Sequence, residues 1–205
     1  MVCMSFFGDQ ASTEPERGRA RPHRPWDLPD AEFPGVVRDS TLVLGRAERV
    51  AVAITGLLAY SAGFEIFVTA RVRPGADTGP GDRMPGGRGP GGARRSFRLG
   101  LQLADGTKVI GQHGGPGQPG DPDPDPDPDP DAEPAGPILR AFLAGGGPRS
   151  AFWRWWAWPL PPAGPVEFVC EWPAFSIPES RAGLDARLIL DAAARSIRLW
   201  PGDEG

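Results

Sequence analysis

This chain of 205 residues is poor in the side chains that most often carry chemistry. It has two cysteines, Cys3 in a terminal segment and Cys170 in an apolar stretch, which argues against a disulfide framework or a structural zinc site. Its two histidines are His23, in a Pro/Arg-rich segment, and His113, beside a Gly-rich one, both poor supports for a general base. No Gly-x-Ser-x-Gly elbow, Walker loop or dinucleotide fingerprint occurs. The stretch "GGRGPGG" is rich in glycine but neither follows a strand nor opens a helix. No apolar run approaches the length of a bilayer span. The start "MVCMSFFGDQ" has neither a basic head nor an export-length apolar stretch, so a cytoplasmic location without a membrane partner is expected.

Excess charge of one sign is also missing. The formal net charge is −4, but six aspartates fall in a run of Asp-Pro dipeptides between Asp121 and Asp131. Without them the remainder carries +2, and no basic stripe is left to follow a phosphate backbone. Nucleic acid is not an expected partner.

Glycine and proline, by contrast, are abundant. The 29 glycines and 26 prolines amount to roughly twice the usual share, and they crowd into residues 74–94 and 114–148. Segments of this density bury little, so flexible insertions are expected at 74–94 and 114–137. In the Asp-Pro run each proline holds the preceding residue extended, which gives a stiff polyproline-like spacer. Such a rod has no glycine bend with which to wrap its carboxylates around calcium. Residues 1–38 read as a mostly disordered Pro/Arg-rich arm, with Trp26 and Phe33 as its anchors. One domain is expected over 39–201, with a tail at 202–205 and about 130 ordered residues, enough for a core.

Within that domain the apolar period is two. "TLVLG" from Thr41 reads as a short strand. Val50, Val52 and Ile54 alternate with Arg49, Ala51 and Thr55, and after the turn "SAG" Phe64, Ile66, Val68 and Val72 alternate with Glu65, Thr69, Arg71 and Arg73. A second hairpin follows, with Phe97, Leu99, Leu101 and Leu103 on one face and the turn Asp105-Gly106 before Lys108 to Ile110. "AGGGPRS" reads as a linker after Ile138 to Leu143. "RAGLDARLI" alternates as a strand, and the alanine-rich "LDAAARS" is the one helical stretch, with Trp200 beyond it as a ring that packs back on the sheet. Seven or eight strands without a strand-helix-strand rhythm predict an all-β fold. The expected form is an antiparallel β-sandwich of immunoglobulin-like kind with one short C-terminal helix, or alternatively a small β-barrel.

Five of the seven tryptophans lie in "AFWRWWAWPLPPAGPVEFVCEWP", residues 151–173. Read as a hairpin, its register must keep Glu167 and Glu171 out of the core. That pairs Trp155 with Phe168 and Trp153 with Cys170 on the inner side, and sets Trp156 opposite Glu167 with Arg154 near both glutamates. The outer side then presents Phe152, Arg154, Trp156 and Trp158, edged by Glu167 and Glu171, as the one candidate binding surface. Tryptophan in strands is more often core or cover than platform, so the arm or the C-terminal helix is expected to compete for this face.

The residues "WPLPPAGPVEFVCEWPAFSIPESR" and "LDAAARSIRLW" resemble a recurrent group of small actinobacterial proteins with a Trp-Pro-Leu-Pro-Pro stretch and a Glu-Trp-Pro. The likeness covers roughly 45–73, 96–110 and 138–201. It implies a single cytoplasmic domain and brings no activity, cofactor or site residue.

Glu167 and Glu171 would stand about 13 Å apart along a strand, at roughly 3.3 Å per residue. That is too far even for an inverting pair of glycosidase carboxylates. No catalytic, cofactor or metal residues are therefore expected, and the chain reads as a non-catalytic module. Its expected partner is another protein, a second copy of the chain included, with carbohydrate binding through Trp156 and Trp158 as the alternative.

Overall fold

The computed structural model describes residues 24–76, 97–113 and 133–200. The expectations for residues 1–23, for most of both Gly/Pro-rich insertions including the Asp-Pro run, and for the tail fall outside these residues.

In chain order the strands are β1 Glu32–Phe33, β2 Gly35–Val36, β3 Leu42–Arg46, β4 Val50–Ala59, β5 Phe64–Val72, β6 Arg98–Gln102 and β7 Lys108–Ile110. Then follow β8 Gln112–His113, β9 Ile138–Gly147, β10 Ser150–Trp158, β11 Pro165–Trp172, β12 Ile177–Asp185, the helix α1 Arg187–Ala193 and β13 Ile197–Arg198. A large sheet has the order β2-β4-β5-β10-β9-β8, with β3 also paired to β4. A smaller sheet has the order β12-β11-β6-β7, and β1 and β13 form a ribbon. The fold is an all-β sandwich, antiparallel apart from the β8–β9 pair.

The alternation that marks the strands also fills the space between the sheets. Val50, Val52 and Ile54 point inward on β4, and a bulge after Ile54 shifts the phase so that Leu57 and Ala59 do the same. Phe64, Ile66 and Val68 on β5 join them, facing Leu99 and Leu101 of β6 and Val166, Phe168 and Cys170 of β11. The tryptophans hold the centre. Trp153 stacks on Phe97 with centroids 4.5 Å apart, and Trp172 meets Phe97, Trp153 and Phe175 edge-on. Edge and offset contacts of this kind suit the ring quadrupole and add to the area buried.

Four expectations need correction. The tryptophan strand is not half of a hairpin with residues 165–172. β10 pairs with β5 and β9 in the large sheet, and β11 pairs with β6 and β12 in the small one. Trp153, Trp155, Phe168 and Cys170 do all face inward, but from opposite sheets; residues 159–164 carry the chain across. The hairpin partner of β10 is β9, which runs through "GGG" to a turn at Pro148-Arg149, so the linker reading of that stretch fails. The strand read over "RAGLDARLI" is β12, which ends at Asp185; the Asp185 Oδ1 accepts the Arg187 N–H at 2.9 Å and the chain turns into α1 before Leu188. Trp200 does not pack back; it is largely exposed.

Order also begins before Thr41. β1 pairs with β13, β2 pairs with β4, and Glu32 accepts hydrogen bonds from the backbone and hydroxyl of Ser61. Gly35 lies so close to α1 that an added Cβ would fall 1.9 Å from the Ala192 carbonyl oxygen, so this crossing requires glycine.

Candidate functional site

Phe152, Arg154, Trp156 and Trp158 share the outer face of the large sheet, as their spacing along one strand requires. Their neighbours differ from those a hairpin would supply. On one side Phe152, Arg154 and Trp156 lie opposite Thr69, Phe67 and Glu65 of β5; on the other they lie opposite Gly145, Leu143 and Arg140 of β9. A bulge in β9 leaves Phe142 outside the register and half exposed.

Glu65 was expected on the wet side of β5, yet it is fully buried. The Arg154 Nε donates to Glu65 Oε2 at 3.0 Å and Arg154 Nη2 donates to the same oxygen. Tyr60 donates its hydroxyl to Oε1 at 2.7 Å. Burial, reinforced by the hydrogen bond to Glu65, pushes the Tyr60 phenol far above its ordinary value. Held in this way, the guanidinium lies between two rings, 4.9 Å from the Phe67 centroid and 5.1 Å from that of Phe142. Its planar fork suits both the carboxylate and the ring faces.

Beside this cluster the surface is apolar and open. Phe142 and Leu143 are each 45% exposed and Phe152 is 41% exposed. The Phe152 ring lies across β9 at Gly145, where an added Cβ would come within 2.6 Å of it. In the other direction Phe67 also lines a broad cleft of about 680 Å³, with Val36, Arg38, Asp39, Thr41 and Thr55 on its walls. The cleft forms where the β4 bulge meets the β2–β3 loop, and Ser40 braces that loop by donating to the Val37 carbonyl and accepting from the Leu57 N–H.

The other half of the expected ladder is covered. Trp156 is only 4% exposed; its Nε1 donates to the Trp26 carbonyl at 2.8 Å and its ring meets Tyr60 edge-on. Trp158 is half-buried, with the Trp26 ring edge-on at 6.5 Å. Of the two proposed anchors of the arm, Trp26 makes these contacts, whereas Phe33 is largely exposed.

Glu167 and Glu171 do not belong to this face. They lie on the outer side of the small sheet, where Glu171 pairs with Arg98 at 3.1 Å and Glu167 with Arg181 at 3.0 Å. Exposed cross-strand pairs of this kind contribute little, because water and salt screen them. The structure therefore brings Phe152, Arg154, Trp156 and Trp158 together and separates both glutamates from them.

Sequence reasoning missed Glu65, Tyr60, Phe67 and Phe142. One signal for the central pair was present. Glu65 is the only charge in "FEIFV" and Arg154 the only one in "FWRWW", and a lone charge in each of two apolar strands points to a mutual partner. Among the described residues no three His, Cys, Asp or Glu side chains gather to hold a metal ion, and no helix is long and apolar enough to cross a membrane. No family model, curated protein or solved structure matches the chain.

Proposed function

We propose that the chain is a non-catalytic binding module that takes a protein partner on the outer face of the large sheet. The observation that carries this reading is the Arg154 guanidinium, fixed by the buried Glu65 between Phe67 and Phe142 and bordered by exposed Phe152 and Leu143. Arginine and aromatic side chains already held in place are the groups that dominate protein interfaces, because little freedom is lost when they bind. The cleft beside Phe67 extends the surface with room for a protruding side chain. Carbohydrate binding would need Trp156 as an open platform, and its ring is buried, so the protein partner is the better supported reading.

The test is a chain carrying Phe142→Ser and Phe152→Ser, both exposed positions whose change should leave the chain folded with only a small fall in melting temperature. The variant should lose the partner that the wild-type chain captures, or turn from dimer to monomer by light scattering if that partner is a second copy. A folded variant that keeps every partner and the same mass overturns the proposal.

A further inference from the structure

The sandwich covers part of the Trp156 ring through Tyr60 and Gly63. Among the described residues, a short turn from the N-terminal side of the chain adds a carbonyl at the Trp156 indole N–H and a ring at Trp158. Arg24, Pro25, Trp26 and Asp27 close the turn: the Asp27 N–H donates to the Arg24 carbonyl at 3.0 Å, and the Arg24 N–H donates to the Asp27 carboxylate at 3.3 Å. Proline in the second position sets the backbone angle such a turn needs, so it is formed largely by its own residues.

The receiving side is equally well defined. The Trp156 indole is seated over Gly63, where an added Cβ would fall 2.8 Å from the ring and 2.3 Å from the Ala157 carbonyl oxygen. Tyr60 stands edge-on to it and is itself held by Glu65, so the indole edge has a fixed position and its N–H a fixed direction. Trp158 supplies the second ring, one pair further along β10 on the same face. The turn satisfies this arrangement with one carbonyl and one aromatic edge, both from Trp26. Trp26 is half-buried and Pro25 exposed, and neither belongs to the core cluster, so the turn rests on the surface. Beyond it the chain is tied separately, by Glu32 to Ser61 and by β1 to β13.

We propose that Tyr60, Gly63, Trp156 and Trp158 form a docking site for a Pro-Trp turn, and that residues 24–27 are its resident, detachable ligand. The indole N–H selects a backbone carbonyl, and the Trp158 ring selects the aromatic ring that follows the proline. This site does not depend on whether Phe142, Arg154 and Phe152 take a partner. Undocking breaks the bond to the Trp26 carbonyl but leaves the Trp156 N–H facing water, where it finds another acceptor, so release leaves no buried donor unsatisfied.

The experiment uses the full chain carrying Trp26→Ala and a synthetic peptide with the sequence of residues 21–30. Indole N–H resonances in NMR, assigned by single tryptophan replacement, report on Trp156 directly. In the variant the Trp156 resonance should move and its hydrogen exchange should speed up. The peptide in trans should bind the variant and return the resonance towards its wild-type position, while the wild-type chain should bind it at least about tenfold more weakly because its site is filled. A peptide carrying the same Trp→Ala change should not bind. If the intact peptide leaves the Trp156 resonance unmoved, or if wild type and variant bind it equally, the turn is fixed cover and the site does not exist. Neither outcome depends on capture of a partner by the Phe142–Phe152 surface.

Discussion

Glu65 and Arg154 are diagonal neighbours on β5 and β10, joined by hydrogen bonds from Nε and Nη2 to one carboxylate oxygen while Tyr60 takes the other. The carboxylate is fully buried, whereas the guanidinium reaches the open face. The pair thus ties a buried carboxylate on the outer face of the large sheet to the surface proposed to bind.

Arg154→Ala should destabilise the fold by about 3 kcal/mol or more, because it leaves a buried carboxylate with only a phenol for company. Replacing both charges together, as in Glu65→Gln with Arg154→Met, should recover most of that loss. Urea unfolding of the three chains measures both effects. A loss below about 1 kcal/mol for Arg154→Ala would mean that water reaches Glu65.

Tyr60 is the only tyrosine of the chain, so tyrosinate absorbance reports on it alone. Its phenol is held protonated in the fold, while an unfolded chain releases the proton near the ordinary value of 10.0. The contribution to stability is therefore complete below pH 10 and is lost as pH rises above it. At pH values where the unfolded chain in urea shows full tyrosinate absorbance, the native chain should show little. Tyr60→Phe should flatten the alkaline fall in stability.

Burial pushes the Cys170 thiol up to about 11. In a Cys3→Ser chain the remaining thiol should resist an aromatic disulfide reagent at neutral pH and react fully once denaturant is added. Rapid reaction of the native chain would show that β11 opens from the small sheet.

Trp153 and Phe152 are adjacent on β10 but face opposite ways. Trp153→Ala should cost about 3–5 kcal/mol through the cavity left against Phe97 and Trp172. Phe152→Ala should cost about 1 kcal/mol or less, since it removes only a cross-strand contact with β9. Equal losses by denaturant unfolding would mean that the outer face is buried.

The faces of the strands were legible in the sequence where one side is apolar and the other is not. Val50 to Ile54, Phe97 to Leu101 and Val166 to Cys170 each show the pattern, and each points inward as expected. The partners of the strands were not legible. A period of two gives the same signal for a hairpin and for a strand that crosses to the opposite sheet, so the short loop 159–164 was misread. "GGG" in β9 was misread because glycine lowers strand propensity, although at Gly145 its missing Cβ makes room for Phe152. Glu65 looked wet because charge usually is, and its partner lies far along the chain in a strand dominated by tryptophan. The candidate face was half legible for the same reason: Phe152, Arg154, Trp156 and Trp158 follow from one strand, while Phe67, Phe142 and Tyr60 required the pairing.

Because consecutive hairpins go to opposite sheets, β5 receives its neighbour β10 late: Arg71 pairs with Ser150 and Phe64 with Ala157. On the ribosome, at about 5–20 residues per second, the β4–β5 hairpin waits roughly 4 to 16 seconds with one edge unfilled. An apolar strand edge left waiting is a template for pairing with the wrong chain. Glu65 is the second residue of "FEIFV", and throughout that interval an unpaired charge there disfavours a stray strand that would have to bury it. The carboxylate that later secures Arg154 is thus already in that edge while it is open, and only β10 brings the cation that pairs with it.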